Sequence, residues 1–113
     1  MNDKRTLLWA AIEDYSGLWE AVWELRSVHP EMSTKSLEAT ARGILEELLR
    51  EGSIDLYWCQ EPYGEMTLVP ESEAAGLLAA DEAFADPAED ALSVRFSATP
   101  CGEALYRSMW EQP

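Results

Sequence analysis

Positive charge is scarce in this chain and is absent from a long central stretch. Eight Lys and Arg residues stand against 22 Asp and Glu residues, so the net charge of the 113 residues is −14. Between Gly52 and Val94 there is no Lys or Arg at all. Such an acidic block repels nucleic acid and anionic lipid, and it would attract a basic partner protein.

The residues that carry most enzyme chemistry are also few. Two Cys residues, far apart and outside any CxxC motif, and one His are too few for a zinc site. His29 stands beside Pro30 in a predicted turn, which favours a surface residue over a general base. There is no Gly-rich phosphate loop, and carboxylate pairs are expected by chance at this acid density. The sequence therefore predicts no catalytic, cofactor-binding or metal-binding residues.

Long apolar runs are missing as well. No run approaches the roughly 20 residues that a membrane-spanning helix needs. The N-terminal residues mix acids into a short apolar stretch, which differs from the layout of a signal peptide. Apolar residues still make up 47% of the chain and include five Trp, enough for one core. We therefore expect a single cytoplasmic domain, residues 1–113, that does not contact a membrane.

Helical periodicity dominates the first half of the chain. Apolar residues recur at helical spacing from Leu8 to Leu25, and Ser16-Gly17 interrupts the pattern. Ser33 or Ser36 can cap a further amphipathic helix, and Gly52 can end it. We predict three helices, over about residues 4–14, 17–27 and 36–51.

Alternating periodicity replaces the helical pattern after Gly52. Apolar and polar residues alternate over residues 54–59 and again over 92–97, which predicts two strands that pair antiparallel. The long segment between them, residues 61–91, is acidic and lacks a clear pattern.

Two cap signals occur in the second half of the chain. Ser72 could cap a short helix over residues 73–80 inside the acidic insertion. Thr99 and Pro100 mark the start of the last helix, with Thr as the cap and Pro in its favoured first position.

Two stretches resemble a known superfamily. EATARGILEELLREGSIDLYW is similar to the recognition helix and first wing strand of MarR/PadR/ArsR-like winged-helix proteins. FSATPCGEALYRSMW resembles their second wing strand and the "LT-x-x-G-x-x-x-Y" start of the last helix. The matching residues are Thr99, Gly102 and Tyr106, with Ala98 where an apolar residue is usual. The resemblance implies a small α+β winged helix with three helices, a two- or three-stranded wing carrying the long acidic insertion, and a C-terminal helix.

Many winged-helix proteins bind DNA. In this chain the candidate DNA contacts are Lys35, Ser36 and Arg42. A recognition helix needs base-edge donors and cations for phosphates. Residues 33–51 carry three cations and four carboxylates, and the wing is acidic. The alternative is that Lys35 and Arg42 form ordinary exposed ion pairs with Glu38 and Glu46. The charge favours the alternative.

The tryptophans are numerous for this length. Trp19 and Trp58 are predicted to lie in the core. For Trp9 and Trp110, near the two termini, a dimer or partner contact is the alternative to burial, because aromatic residues are enriched at the energetic centres of interfaces. Winged-helix relatives often dimerise through their terminal helices, so the resemblance implies a homodimer.

The sequence thus favours a non-enzymatic, acidic winged-helix protein that acts through protein–protein contacts. One alternative is a transcriptional regulator that binds DNA as a dimer. Another is an acidic inhibitor or immunity-type protein that masks a basic partner. Neither the partner nor a ligand can be named from the residues.

Overall fold

Helices and strands alternate along the chain in a mixed α+β fold. A computed structural model describes residues 2–61, 64–88 and 91–111, without the side chains of Asn2, Trp110 and Glu111. Within these residues the helices are α1 (Asn2–Glu13), α2 (Leu18–Val28), α3 (Thr34–Arg50), α4 (Glu71–Ala79) and α5 (Pro100–Glu111). The strands are β1 (Ser16–Gly17), β2 (Ile54–Gln60), β3 (Met66–Leu68) and β4 (Leu92–Ala98), and a 3-10 turn spans Asp81–Phe84.

The four strands form one antiparallel sheet in the order β1-β4-β2-β3. β2 and β4 pair along their whole length, from Ile54 opposite Ala98 to Gln60 opposite Leu92. This pairing confirms the two predicted strands and their antiparallel arrangement. The sheet has one strand more than the two or three predicted for a wing, because Ser16–Gly17 adds an edge strand beside β4. The interruption between the first two helices is therefore a short strand.

The first three helices follow the predicted pattern, and α3 begins slightly earlier than predicted. The hydroxyl oxygen of Ser33 accepts a hydrogen bond from the backbone N–H of Ser36 at 3.2 Å, so Ser33 is the cap. Past the other end of α3, Gly52 has a φ of 76°. An L-residue with a side chain would be strained there, which explains why the helix gives way to β2 at a glycine.

The start of α5 is joined to the turn between α3 and β2. Thr99 Oγ1 accepts from the backbone N–H of Gly102 at 3.1 Å, so Thr99 is the predicted cap. Its hydroxyl donates to the carbonyl oxygen of Gly52 at 2.6 Å. A Cβ at Gly102 would collide with the carbonyl oxygen of Ser53, so only glycine fits at this close approach.

The core lies between the first three helices and one face of the sheet. In each helix the apolar side chains recur on one side, which faces inward. The side chains of alternate residues in β2 and β4 pack against them. The fully buried large side chains are Leu7, Leu8, Leu18, Leu25, Leu37, Leu45, Leu48, Ile54, Leu56, Leu78 and Phe96.

The described residues of the acidic insertion, residues 61–91, include β3, α4 and the 3-10 turn. Ser72 does not cap α4, contrary to the prediction. The helix starts at Glu71, because the carbonyl oxygen of Pro70 accepts from the N–H groups of Glu73 at 2.9 Å and Ala74 at 3.1 Å. Pro70 fixes the chain direction, and the helix begins directly after it.

A largely buried ion pair links the sheet to α2 and to the residue that precedes β1. Arg95 Nη2 donates to Glu61 Oε1 at 2.9 Å, and Arg95 Nη1 donates to the carbonyl oxygen of Tyr15 at 2.8 Å. The guanidinium also stacks on the ring of Trp19, 5.1 Å from its centroid. Ser93 donates its hydroxyl to the same carboxylate at 2.5 Å. The two charged side chains are only 12% and 11% exposed.

The carboxyl pKa of Glu61 is held below its ordinary value. Burial alone would raise this pKa, but hydrogen bonds from Ser93 and Arg95 and the adjacent positive charge outweigh burial. Because the folded-state pKa is depressed, the stabilisation by this carboxylate is present above its ordinary pKa of 4.5. It is lost as the pH falls through the lower folded-state value.

We predict that Glu61→Gln lowers the free energy of unfolding by about 2–3 kcal/mol near neutral pH, because it leaves Arg95 buried without its main counter-charge. The deficit should shrink as the pH falls below 4.5, where the carboxyl takes up a proton in the unfolded chain before it does so in the folded protein. Urea unfolding of both proteins across this range measures the difference. Glu65→Gln, at an exposed position, is the matched control. A deficit that does not change with pH would contradict the role given to the charge.

Candidate functional site

The exposed surface of α3 carries the candidate DNA contacts. Lys35 and Ser36 lie exposed in the first turn of α3, where Ser36 gives its backbone N–H to the Ser33 cap. Among the residues the structure describes, Lys35 forms no ion pair. Ala39 and Gly43 continue this exposed strip along the helix. Neither of these residues carries a base-edge donor on its side chain.

Arg42 turns away from this strip and contacts the acidic insertion. Its Nε donates to the carbonyl oxygen of Leu78 at 2.7 Å, and its Nη2 donates to Asp81 Oδ1 at 2.9 Å. The guanidinium carbon lies 4.9 Å from the centre of the Phe84 ring. Leu78 is fully buried and Phe84 is 3% exposed. The insertion therefore docks on α3 around this one side chain.

The Leu78 carbonyl has a physical reason to accept the guanidinium. It lies in the last turn of α4, where carbonyl groups have no partner within their own helix. The end of a helix also carries partial negative charge, which favours a cation beside it. Arg42 of α3 thus donates a hydrogen bond to the C-terminal turn of α4, while the flat face of its guanidinium covers the Phe84 ring.

The predicted pairing of Arg42 with Glu46 is wrong. The ion-pair partner of Arg42 is Asp81, which lies 39 residues further along the chain. Likewise, the structure does not pair Lys35 with Glu38 among its described residues. Local spacing suggested helix-surface pairs, but the insertion presents a carbonyl, a carboxylate and a ring together, and these outweigh one exposed pair.

A second cation beside α3 is also engaged. Lys4 of α1 contacts Glu47 at 3.3 Å and Glu51 at 3.0 Å, and its side chain is 12% exposed. Burial lowers the pKa of Lys4, but the hydrogen bonds that its ammonium donates to the two carboxylates, and their negative charges, raise the pKa above its ordinary value. This ammonium therefore stays charged while it joins α1 to the C-terminal half of α3.

An open groove lies on the insertion side of α3, between the C-terminal turns of α3, the start of β2 and α4. We call it the acidic groove. Its volume is about 630 Å³. The floor is apolar and is formed by Leu49, Ile54, Leu56, Leu68, Ala74 and Leu78. Its charged lining residues are Glu46, Asp55, Glu71 and Arg50.

The single histidine serves a contact between helices. His29 follows the end of α2, and its Nε2 lies 2.9 Å from Asp3 Oδ1 of α1. The ring is half-buried, less exposed than a turn beside Pro30 predicted. Within the described part of the chain, no three His, Cys, Asp or Glu side chains meet in a group that could hold a metal ion.

The tryptophans divide between core and surface. Trp19 is 7% exposed, as predicted for a core residue, whereas Trp58 is only half-buried and packs against the edge of the core. Trp9 keeps 45% of its surface exposed although it stacks on Tyr106 of α5, with ring centroids 5.3 Å apart. The side chain of Trp110, the other candidate interface residue, lies outside the described residues.

Comparison of the chain with protein-family models, with curated proteins and with solved structures found no match. Among the described residues, none of the helices combines the length and the apolar character needed to cross a membrane.

We predict that Arg42→Met lowers the free energy of unfolding by about 1–2 kcal/mol, because the Leu78 carbonyl loses its charged donor. Asp81→Asn should cost less than about 0.5 kcal/mol, since the carboxylate is 88% exposed. Backbone hydrogen exchange in the 3-10 turn should accelerate in Arg42→Met and stay near the wild-type rate in Arg50→Met, the matched control. Equal effects of Arg42→Met and Asp81→Asn would show that the ion pair, and not the helix end, holds the insertion.

Proposed function

We propose that this chain is a non-catalytic winged-helix protein of the cytoplasm that acts through protein–protein contacts. The order of elements supports the winged-helix assignment: three helices, a strand pair separated by an insertion, and a closing helix. The close approach of Thr99 and Gly102 to the turn after α3 gives the family-like motif a structural role. A fold alone does not define a function, so the proposed protein–protein contacts are supported by the chemistry of the surface.

The observation that carries the proposal is the contact of Arg42 with the insertion. A helix that reads DNA must present cations and hydrogen-bond donors to the groove. The central cation of α3 instead donates to Leu78 and Asp81 and stacks on Phe84. Using it on DNA would leave the end of α4 without its donor.

The charges of the docked insertion add to this argument. Glu71, Glu73, Asp81 and Glu82 are exposed on α4 and the turn after it, and this segment packs against α2 and α3. Carboxylates within a Debye length of a phosphate, about 8 Å at physiological salt, oppose its approach. Phosphate neutralisation supplies most of the non-specific affinity for DNA, so this surface favours a protein partner.

We predict no detectable binding to random duplex DNA at physiological salt, and weak binding at low salt. Fluorescence anisotropy with labelled genomic fragments measures this. Sub-micromolar, strongly salt-dependent affinity that is lost in Lys35→Ala or Arg42→Ala would instead establish the DNA-binding regulator. Glu73→Ala, which removes a charge of the opposite sign, is the control for a general charge effect.

A photo-crosslinking amino acid, introduced in cells, tests whether the chain contacts other proteins. Ala39 on α3, Ala75 on α4 and Ala104 on α5 are exposed and sample three faces. We expect protein adducts at one face or more and no nucleic-acid adducts at Ala39. Nucleic-acid adducts at Ala39 without protein adducts elsewhere would overturn the proposal.

We also propose a homodimer through α1 and α5, because Trp9 keeps nearly half of its surface exposed beside Tyr106. An exposed indole that is already held by a second ring loses little conformational freedom when it is covered. We predict a concentration-dependent dimer in sedimentation equilibrium and a shift to monomer in Trp9→Ser. Trp23→Ser, at the exposed Trp of α2, should keep the dimer. A wild-type protein that stays monomeric at high micromolar concentration would remove this role of Trp9.

A further inference from the structure

We infer that the acidic groove is a docking site for a cationic amphipathic segment of a partner protein, a segment in which apolar side chains alternate with Lys or Arg. This inference rests on the proposed function and adds the surface and the chemistry of the partner. It is carried by three features of the groove: an apolar floor, an acidic rim and a strand edge that ends early.

Part of the apolar lining of the groove is exposed, although Ile54, Leu56 and Leu78 at its base are buried. Leu68 of β3 lines it and is 55% exposed. Leu49 and Ala75 also line it, from α3 and α4. A partner that places apolar side chains here would gain about 25 cal/mol for each Å² of apolar surface removed from water. The exposed part of the lining therefore fits an occupant with apolar side chains.

The rim selects the charge of that occupant. Glu46 and Glu71 stand exposed on opposite walls, Asp55 lies half-buried between them, and Arg50 is the one cation among the lining residues. Three carboxylates and one guanidinium give the lining a net charge of −2. Complementary charges across an interface steer association and exclude partners of the wrong sign.

The charge of the chain argues against a second copy of it as the occupant. The chain carries a net charge of −14, and no Lys or Arg lies between Gly52 and Val94. Its cations outside that stretch include Lys4, Arg42 and Arg95, which already form ion pairs within the fold. A second copy would bring further carboxylates to the rim, so the occupant is a different, basic protein.

The edge of β2 points to an extended conformation for this segment. The backbone N–H of Val69 donates to the carbonyl oxygen of Leu56, so even-numbered residues of β2 direct their backbone groups toward β3. β3 ends at Leu68, and the chain then turns into α4. Ile54, the next even-numbered residue, therefore faces the groove with its N–H and C=O. A bound segment could continue the strand pairing there.

The probe is a synthetic peptide of about eight residues, the length of an ordinary strand, that alternates Lys with Val. One control peptide replaces Val with Ser and keeps the charge, and the other replaces Lys with Glu and keeps the apolar residues. We expect the Lys/Val peptide to bind at least about tenfold more tightly than either control, because binding needs both the floor and the rim. Equal affinity for the Lys/Ser peptide would overturn the inference.

Two pairs of variants locate the binding. Glu46→Lys with Glu71→Lys reverses the rim and should weaken the Lys/Val peptide about tenfold. Glu24→Lys with Glu73→Lys changes the net charge equally, at exposed positions outside the groove, and should change the affinity less than about twofold. Equal losses in the two double variants would show attraction to the overall charge and would also overturn the inference.

A steric pair gives a second readout. Ala75 lines the groove and Ala79 does not, although both are exposed on α4. Ala75→Trp should block the peptide and Ala79→Trp should not, and methyl NMR shifts of Leu56 and Leu68 should respond to the peptide only in the latter. Protein photo-adducts at Ala104 but none at Ala75, with no peptide binding, would refute the groove and leave the proposed function standing.

Discussion

The guanidinium of Arg42 is the contact on which the arrangement around α3 depends. One side chain donates to the open carbonyl of Leu78, pairs with Asp81 and covers the ring of Phe84. Each contact is of ordinary strength, and the Asp81 carboxylate is too exposed to contribute much. Together these contacts hold the acidic insertion, which has no Lys or Arg of its own, against α3.

Several features follow from that docking. Burial of Phe84 against α2 and α3 contributes roughly 2 kcal/mol of hydrophobic stabilisation. The docked α4 supplies one wall of the acidic groove, while α3 supplies the other. The same contact removes a cation from the helix surface and brings carboxylates beside it. A single arginine thus shapes both the exposed surface of α3 and the groove for which we propose a basic partner.

Much of the fold is readable from the sequence, for physical reasons that are local. α3, β2 and β4 were predictable because the switch from helical to alternating periodicity at Gly52 reflects burial on one face. The start of α5 was predictable because Thr99 and Pro100 act on their own neighbours. Both signals come from residues that lie close together in the chain.

The features that matter most to the candidate site are those that sequence reasoning missed. Arg42 meets partners that are 36 and 39 residues away, and no local spacing identifies them. β1 has two residues, too few for a periodic pattern, and it exists because β4 offers an edge. α4 begins before Ser72 since Pro70 directs the chain, so the favoured cap residue lies already inside the helix. In each case a long-range contact or a chain direction outweighed a residue preference.

The most direct test of this account is the solution NMR signal of the Arg42 side chain. The account predicts nuclear Overhauser contacts between the Arg42 methylene protons and the Phe84 ring. It also predicts a slowly exchanging Nε–H, because that proton is bound to the Leu78 carbonyl. Absence of these contacts, together with an Nε–H that exchanges as fast as that of the exposed Arg50, would contradict it. In that case α3 would be open to other ligands, DNA among them.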